Sequence, residues 1–502
     1  MKKLQFMAWP KLCSMLLLGA AALFTVSCAK DGYDDDEKWE TSVRNTQLVS
    51  PAADAIEIIP SADGMSMTIK WPVVQGAGGY LVNLLDVSDP ANPTVILSKV
   101  VDGCSVESVP REDDMSYQLQ LRTLGNAALG NIEATTTTHL AFSTFTPTTA
   151  TIPAGSDLAA WFTANPIAES EDMQYYDLVA GGSYTLNSKF DFQGHKVTLR
   201  SQSKNNRPTV TYGAEGELTI GNGFGLKYIN FECAQGTKPF ISLSLTPGVE
   251  PDPDHNNHHV ITEPVAILNC NVNNLNSYFL YDGGSDGKKY CLKTVLVNNC
   301  VVKLTPSAAG NIGTEGSTFD MYKAGGFICD ITIQNSTFWN ASRKADTDPD
   351  FKYFIRYANA GRPDRAGFAS GSINFINCTL YNISKKGQMC NHSGYDGSAM
   401  ANYNVTKNIF AECGSSQVAR RIIGRAGTGN IIFNYNTYVF DGKTTKDDGT
   451  CVDQSGYDKG IILLTEPGFA DPDNGNFTIN GAEQLANQSG DPRWLPLNYP
   501  LN

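Results

Sequence analysis

The sequence predicts an all-β protein in which a long β-solenoid follows a small β-sandwich. The solenoid prediction depends on one pattern that occurs seven times: two apolar residues separated by one position, then a turn residue, then an apolar residue three positions further on. In SINFINCTL these are Ile373, Phe375, Asn377 and Leu380. Apolar segments of period two lack the spacing of an amphipathic helix, so their repetition predicts stacked β-coils.

The seven copies align in four columns, and successive turn residues are 41, 30, 36, 42, 30 and 28 positions apart. The first apolar column contains Phe224, Val265, Val295, Ile331, Ile373, Tyr403 and Ile431. The second contains Leu226, Ile267, Val297, Ile333, Phe375, Val405 and Phe433. The turn column contains Tyr228, Asn269, Asn299, Asn335, Asn377, Lys407 and Tyr435. The last contains Phe231, Val272, Val302, Phe338, Leu380, Phe410 and Tyr438. A fainter copy precedes them at Val197, Leu199 and Ser201.

Residues of one column are expected to lie directly above one another, because the coils of a solenoid stack at about 4.8 Å. Stacked Asn side chains can then hydrogen-bond along the turn column, while apolar and aromatic columns fill the interior. Cys270, Cys300 and Cys378 each follow a turn residue. This position predicts small interior residues rather than metal ligands or a disulfide framework.

Residues 45–147 have a different pattern, with alternating segments in MSMTIKWPVVQGAGGYLVNLLDV and MSYQLQLRTLG. They predict the strands of a sandwich, with Trp71, Tyr80 and Tyr117 in its core. The region resembles a fibronectin type III module. In such a module Tyr117, near the start of a late strand, would suit a tyrosine corner. We expect the module to serve as a spacer between the membrane and the larger domain.

The N-terminus has the features of an export signal over residues 1–27, with basic residues, an apolar run from Met15 to Val26 and small residues before Cys28. FTVSC resembles a bacterial lipobox, which implies that Cys28 is lipidated; the alternative is an ordinary signal peptide with an incidental cysteine. The acidic tether, residues 28–44, contains KDGYDDDE. This run resembles the tag that sends lipoproteins to the outer face of the outer membrane in glycan-foraging Gram-negative anaerobes; the alternative is a solvated spacer.

The solenoid is expected to span residues 148–494, followed by a C-terminal tail over residues 495–502. In SDLAAWFTAN, Ser156 is predicted to cap a short helix whose Leu158, Trp161 and Phe162 fall on one face. This helix would cover the first open edge of the solenoid. At the other end, Trp494 in GDPRW is expected in a closing cap.

The lipobox, the fibronectin-like module, the I-x-I-x-N coils and GDPRW together resemble surface lipoproteins of Sus-like polysaccharide utilisation systems. The resemblance covers nearly the whole chain. It implies that the solenoid is a right-handed parallel β-helix of the pectin-lyase-like superfamily. It also implies contact with plant or other acidic polysaccharide, with a glycan importer as a further partner, and it leaves catalysis open.

A basic segment stands out from a chain of net charge −13: residues 343–425 contain twelve Lys and Arg against six Asp and Glu. It includes a long coil, and insertions in repeat proteins map to loops on one face. Stacking would align cations of consecutive coils into a row suited to a polyanion, with guanidinium groups on carboxylates and tyrosine rings on sugars. The alternative is scattered, solvated charges. The candidate ligand-binding residues are Tyr353, Arg356, Tyr357, Arg362, Arg365, Lys385, Lys386, Tyr395, Arg420, Arg421 and Arg425.

Eliminative cleavage of a uronate chain needs a group that neutralises the carboxylate and a base, and Lys385, His392 and Arg421 supply suitable chemistry. The pectate-lyase motif R-x-P-x-x-R is only approached by GRPDR, and W-I-D-H is absent. The polygalacturonase motifs N-T-D, G-H-G and R-I-K are absent too. PDPDHNNHH has metal-ligand residue types without a regular zinc spacing, so a polar loop is favoured there over a metal site.

The leading hypothesis is a non-catalytic protein, lipid-anchored in the outer membrane and facing the exterior, that captures an acidic, pectic polysaccharide and presents it to an importer. The first alternative is a divergent polysaccharide lyase that acts by β-elimination, in which either Ca²⁺ or Arg would neutralise the carboxylate; otherwise no cofactor and no metal are expected. The second alternative is a structural or adhesin-like surface protein. An exported, net acidic protein is not expected to bind nucleic acid.

Overall fold

The computed structural model of the protein describes residues 43–61, 66–88, 92–310, 312–343, 347–357, 367–392, 401–424, 429–453 and 456–496. The chain divides into two compact units, the first comprising most of the chain up to Phe142 and the second most of the chain from Ser143 onward. Within the described ranges, no helix has both the length and the apolar character needed to cross a membrane.

The first unit is built from antiparallel strands in two sheets. One sheet has the order β1-β2-β5 and the other the order β4-β3-β6-β7. Buried residues alternate along β6, and Tyr117, at its start, accepts a hydrogen bond from the Glu112 backbone N–H at 3.0 Å. This bond ties the start of β6 to the backbone a few residues upstream. The strands are β1 (Glu57–Pro60), β2 (Ser66–Lys70), β3 (Tyr80–Asp86), β4 (Thr94–Val101), β5 (Ser105–Pro110), β6 (Ser116–Thr123) and β7 (Thr138–Ser143).

The second unit is a right-handed parallel β-helix. Its helices are α1 (Leu158–Ala164), α2 (Val418–Ile423) and α3 (Ala482–Asn487) among the residues described. Its strands are β8 (Ala150–Ile152), β9 (Gln174–Leu178), β10 (Ser183–Leu186), β11 (Lys189–Asp191), β12 (Val197–Ser201), β13 (Thr209–Tyr212), β14 (Glu217–Ile220), β15 (Phe224–Lys227), β16 (Asn230–Glu232), β17 (Ile241–Leu243), β18 (Pro251–Asp252), β19 (His258–Ile261), β20 (Val265–Leu268), β21 (Asn271–Leu275), β22 (Leu280–Tyr281), β23 (Tyr290–Asn298), β24 (Val301–Leu304), β25 (Ser317–Met321), β26 (Phe327–Gln334), β27 (Thr337–Asn340), β28 (Tyr353–Tyr357), β29 (Gly371–Ile376), β30 (Thr379–Tyr381), β31 (Gln388–Asn391), β32 (Ala401–Thr406), β33 (Ile409–Ala411), β34 (Asn430–Asn434), β35 (Asn436–Val439) and β36 (Ile462–Leu463).

Each complete coil contributes one strand to each of three parallel sheets within the part of the chain that is described. Sheet A has the order β8-β9-β12-β15-β20-β23-β26-β29-β32-β34; β19 also pairs with β23, and β18 pairs antiparallel with β19. Sheet B has the order β10-β13-β16-β21-β24-β27-β30-β33-β35-β36. Sheet C has the order β11-β14-β17-β22-β25-β28-β31. The chain therefore runs from A to B to C and then rises to the next coil.

The predicted columns are confirmed by the strand register. Val295 pairs with Ile331, Ile331 with Ile373, and Ile373 with Tyr403, and these residues fill the buried interior behind sheet A. The last column, which is also apolar, stacks in the same way in sheet B, where Phe338 lies between Val302 and Leu380. Equivalent residues of consecutive coils thus stack as the spacing predicted.

The turn column marks the corner between sheets A and B. All seven of its residues adopt the left-handed conformation, with φ between 48° and 59°. Asn tolerates this conformation better than most residues, because its short amide can bond locally. Asn299 and Asn377 donate side-chain hydrogen bonds to Asn269 and Asn335, while Asn335 donates to Asn298 instead. The predicted amide ladder is therefore present but interrupted.

The cysteines behind this corner are buried, as predicted. Cys270, Cys300 and Cys378 have no solvent exposure, and each is a free thiol. Each thiol lies close to a backbone carbonyl oxygen, such as that of Leu268 for Cys270 at 3.3 Å. They act as small packing residues.

Helix α1 covers the first coil, and its Leu158 and Phe162 are buried in the main core. The prediction that Ser156 caps this helix is wrong by one residue. The cap is Asp157, whose Oδ1 accepts the Ala160 N–H at 2.9 Å. Its Oδ2 also accepts a hydrogen bond from Thr185, which ties the helix start to β10.

The expected closing cap around Trp494 is also corrected. After the last coil the chain folds back as a strap, residues 466–496, along the outward face of sheet B. Its Gln484 bonds Thr437 in β35 at 2.9 Å, whereas Trp494 donates to Thr337 in β27 at 2.7 Å. The strap covers side chains such as Trp339, with which Phe477 makes a ring contact at 5.7 Å. It buries an apolar face rather than an open end.

Candidate functional site

The outward face of sheet C carries a column of polar residues above the buried core. Phe319 and Ile355 lie in the buried core, and their neighbours Asp320 and Arg356 face outward and pair in register. The same outward column contains Thr219, Ser242, Tyr281, Asp320, Arg356 and Asn391.

Arg356 is the centre of this face. Its guanidinium carbon lies 3.8 Å from the centroid of the Tyr322 ring and 5.1 Å from that of Tyr353. Nη1 donates to the Glu315 carbonyl oxygen at 2.9 Å, and Nη2 lies 3.6 Å from Glu315 Oε2. A planar guanidinium favours stacking on rings of this kind. The side chain is 7% exposed, so its orientation is fixed by packing.

The rim of the site combines charge with an accessible ring. Tyr322 is 38% exposed. Tyr353 is buried and donates its hydroxyl to Glu315 Oε2 at 3.2 Å, and Lys352 hydrogen-bonds Oε1 of the same carboxylate. That hydrogen bond raises the pKa of the Lys352 ammonium and lowers the pKa of Glu315. One carboxylate is thus held among an ammonium, a guanidinium and a phenol.

Two buried aspartates fix the segment that carries Tyr322. Asp320 accepts the Tyr322 N–H at 3.1 Å. Asp282, one coil earlier, accepts the N–H groups of Lys323, Ala324 and Gly326 at 3.0 to 3.2 Å. Burial raises the pKa of Asp282 to about 7 and also raises that of Asp320. Their role is to hold a turn.

The structure separates the predicted ligand-binding residues that lie on β28. Arg356 and Tyr353 belong to the outward face just described. Tyr357 does not, because it is one position further along the strand and faces the interior, where it is 1% exposed. The expectation that Tyr357 offers a ring to a sugar is therefore corrected.

The proposed lyase residues are corrected as well. Lys385 Nζ lies 2.6 Å from Glu412 and 3.1 Å from Asp441. Burial alone would lower the pKa of Lys385, but these hydrogen bonds outweigh it and raise the pKa, so the amine stays protonated and is unsuited to act as a base. His392 is 2% exposed, and its Nε2 lies 2.8 Å from the Ile422 carbonyl oxygen. Neither side chain is presented to a substrate.

Arg420 and Arg421 lie on helix α2, which the sequence prediction missed. The helix packs on β31 through Val418, Ala419, Ile422 and Ile423, and Asp453 accepts the N–H groups of Val418 and Ala419. Both arginines are half-buried, and Arg420 lies over the Tyr457 ring at 5.9 Å. The spacing of Val418, Ile422 and Ile423 is a helical signal that was available in the sequence.

The remaining predicted residues divide into two groups. Lys386 is exposed at the turn before β31. Arg362, Arg365, Tyr395, Arg425 and the lipidation candidate Cys28 lie outside the described residues. Sequence reasoning also missed Tyr322 and Glu315, which occupy loop positions without a repeated pattern.

Among the described residues, no group of three or more His, Cys, Asp or Glu side chains is arranged to hold a metal ion. In PDPDHNNHH, His258 contacts the carbonyl oxygens of His255 and Gly325, and His259 contacts that of Val249. His255 pairs with Asp252 at 2.7 Å. These side chains serve the local loop.

Three family models match successive parts of the chain, each described as a domain of unknown function. They are DUF4992 over residues 5–187, DUF4957 over residues 182–341 and DUF5123 over residues 373–494. No curated protein matches the chain at a significant level.

Several solved structures are similar to this chain. Pectate lyase PelI from Erwinia chrysanthemi, in complex with tetragalacturonic acid, shares 9% identity over 66% of this chain and 84% of its own, with a TM-score of 0.21. A PL6 family alginate lyase, AlyGC, shares 13% over 68% and 45%, with a TM-score of 0.29. Pectate lyase Pel3 from Pectobacterium carotovorum shares 9% over 83% and 100%, with a TM-score of 0.17.

Proposed function

We propose that the protein binds an acidic, uronate-containing polysaccharide on the outward face of sheet C, around Arg356. The observation that carries this proposal is the Glu315 carboxylate, which lies among Lys352, Tyr353 and Arg356 beside the accessible Tyr322 ring. A carboxylate held among a guanidinium, an ammonium and a ring is what a uronate residue would also require.

Glu315 acts in this proposal as a placeholder for the ligand carboxylate. Its side chain is 44% exposed, and its distance of 3.6 Å from Arg356 Nη2 is that of a loose ion pair. The Lys352–Glu315 pair is exposed on both sides, and exposed pairs contribute little to stability, so a ligand carboxylate displaces Glu315 from Lys352 at small cost. Arg356 keeps its orientation during the exchange, because Nη1 remains bonded to the Glu315 backbone oxygen.

Binding is favoured over cleavage by the protonation of Lys352, which belongs to this site, and of Lys385, the amine considered as a base for the lyase alternative. The pKa values of Lys352 and Lys385 are both raised by their carboxylate partners. A base for β-elimination must instead give up its proton near neutral pH. The lyase alternative would therefore need a base other than these two amines.

The cellular setting is part of the proposal. We infer that Cys28 anchors the chain by lipid to the outer membrane, facing the exterior, and that a glycan importer receives the captured polysaccharide. The first unit, with its sheets β1-β2-β5 and β4-β3-β6-β7 and its Tyr117 corner, would be a fibronectin type III-like spacer. The N-terminal sequence supports this setting.

Affinity electrophoresis in gels that contain polygalacturonate tests the proposal. We expect retardation of the full chain that weakens with salt. Tyr322→Ala and Arg356→Gln should each bind about tenfold more weakly, a loss of about 1.4 kcal/mol. Lys443→Ala, which removes an exposed cation of the last coil, is the matched control and should bind normally.

The same samples distinguish the alternatives. Formation of unsaturated uronate, followed by its ultraviolet absorbance, would favour the lyase. Neither retardation nor turnover would favour the structural or adhesin-like protein. Equal retardation of the parent, Tyr322→Ala and Arg356→Gln, all with native circular dichroism spectra, would exclude this face of sheet C as the site.

A further inference from the structure

A different face of the β-helix, on sheet A, carries a regular grid of side chains. Strands β23, β26, β29, β32 and β34 pair in continuous register, and each presents three outward residues. The first column contains Thr294, Asp330, Ser372, Asn402 and Asn430. The second contains Leu296, Thr332, Asn374, Asn404 and Ile432. The third contains Asn298, Gln334, Ile376, Thr406 and Asn434.

The grid is solvent-accessible and carries few charges: its one charged residue, Asp330, is paired at 2.6 Å with Lys293 beside the first column. All of its fifteen positions are half-buried or exposed, and eleven are Asn, Gln, Ser or Thr. Three are Leu or Ile, and Asp330 is the single charged residue among these described positions. Protein surfaces commonly carry about 25–35% charged residues, so four or five would be ordinary here. The composition does not suit a polyanion.

Strand stability does not explain the choice of residues, because Asn is disfavoured in strands. A ladder of hydrogen bonds between stacked amides could still explain Asn in these strands, as it does at the corner between sheets A and B. In the second column Asn374 donates to Thr332 Oγ1 at 3.0 Å. Asn404, directly opposite Asn374, has an Oδ1 that accepts no hydrogen bond from the described residues. The ladder is therefore incomplete on this face.

The grid also lacks the features of a protein-binding surface. Interfaces between proteins are enriched in aromatic residues, Met and Arg, and none of these occurs among the fifteen residues. Amide and hydroxyl groups can both donate and accept hydrogen bonds, which matches ligands whose own groups are hydroxyls. Leu296, Ile376 and Ile432 add apolar contact of the kind that a sugar ring can use.

We propose that this grid is a second binding surface, specific for an uncharged polysaccharide. Neighbouring strands lie about 4.8 Å apart along the solenoid axis, and successive outward residues of one strand lie about 6.6 Å apart. An extended chain of linked sugar rings laid along the axis meets a hydrogen-bonding side chain on every strand in the first column and on most strands in the other two. The protein then holds a neutral glycan on sheet A independently of the acidic glycan at Arg356 on sheet C.

Retention of the full chain on insoluble cellulose, β-1,3-glucan, mannan and starch tests the inference. We expect retention on at least one of the four, insensitive to salt because the contacts are uncharged. The double variant Asn374→Asp with Asn404→Asp keeps the side-chain shapes and adds two negative charges, and should lower retention at least tenfold. Asn273→Asp, on sheet B, is the matched control and should be retained like the parent.

The result separates this surface from the proposed acidic site. Tyr322→Ala should leave retention on the neutral glycan unchanged, while the double variant should leave polygalacturonate binding unchanged. Three outcomes would overturn the inference: no retention on any of the four glycans, equal retention of the double variant and the parent, or self-association that only the parent shows, which would make the grid a contact between copies.

Discussion

Phe338→Ala tests the stacking of the interior columns most simply. Phe338 has no solvent exposure and lies between Val302 and Leu380 in register. Its ring centroid lies 5.2 to 6.1 Å from those of Phe279, Phe319 and Phe354. Loss of the ring removes apolar contacts and leaves a cavity that three rigid strands cannot close. Substitutions of this kind cost about 3–5 kcal/mol of unfolding free energy.

Denaturant unfolding followed by circular dichroism measures the effect. Solenoids can unfold in more than one step, so the comparison uses the transition that carries most of the β signal. Phe338→Leu keeps most of the volume and should cost roughly 1–2 kcal/mol. Ile461→Ala, at an exposed position, should change the stability by less than about 0.5 kcal/mol. A loss below about 1 kcal/mol for Phe338→Ala would refute the packing described for this column.

Three further predictions follow from the buried carboxylates and the N-terminus. The folded-state pKa of Asp282, about 7, lies above that of a free carboxyl, so the stability that this group contributes is present at low pH and lost as pH rises from about 4 to 7. Melting temperatures at pH 5 and pH 8 should therefore differ less in Asp282→Asn than in the parent. An equal difference in the two proteins would contradict this prediction. Asp491→Ala removes the acceptor of the Thr337 hydrogen bond, which costs about 1–3 kcal/mol of stability. The strap, residues 466–496, should then become more sensitive to limited proteolysis. Unchanged cleavage would contradict the role of Asp491 in holding the strap. Cys28→Ser should release the protein from membranes and abolish lipid labelling, whereas labelling that persists would place the anchor elsewhere.

The repeated part of the fold was predictable because its causes are local and recur in every coil. Period-2 apolar residues set which side of a strand faces the core, and Asn tolerates the left-handed corner. Once the coils stack, Ile331 must lie beside Ile373. Arg356 and Tyr353 were expected in an inserted loop, whereas the structure places both on strand β28.

The rest depends on contacts between residues that no pattern relates. Lys385 is paired with Glu412 in the next coil. Its positive charge is therefore neutralised, although the local sequence had suggested that it was available to bind a polyanion. Tyr322 directly follows β25, and the turn after it is held by Asp282 from the preceding coil. The strap reverses direction after the last coil, which turned Trp494 from an end cap into a cover for sheet B.

The central claim is that Glu315 occupies the place of a ligand carboxylate between Lys352 and Arg356. Calorimetric titration of Glu315→Gln with a short oligogalacturonate tests it most directly. Removing the competing negative charge should strengthen binding severalfold relative to the parent, while Lys443→Ala should bind like the parent. Weaker or unchanged binding by Glu315→Gln would contradict the account.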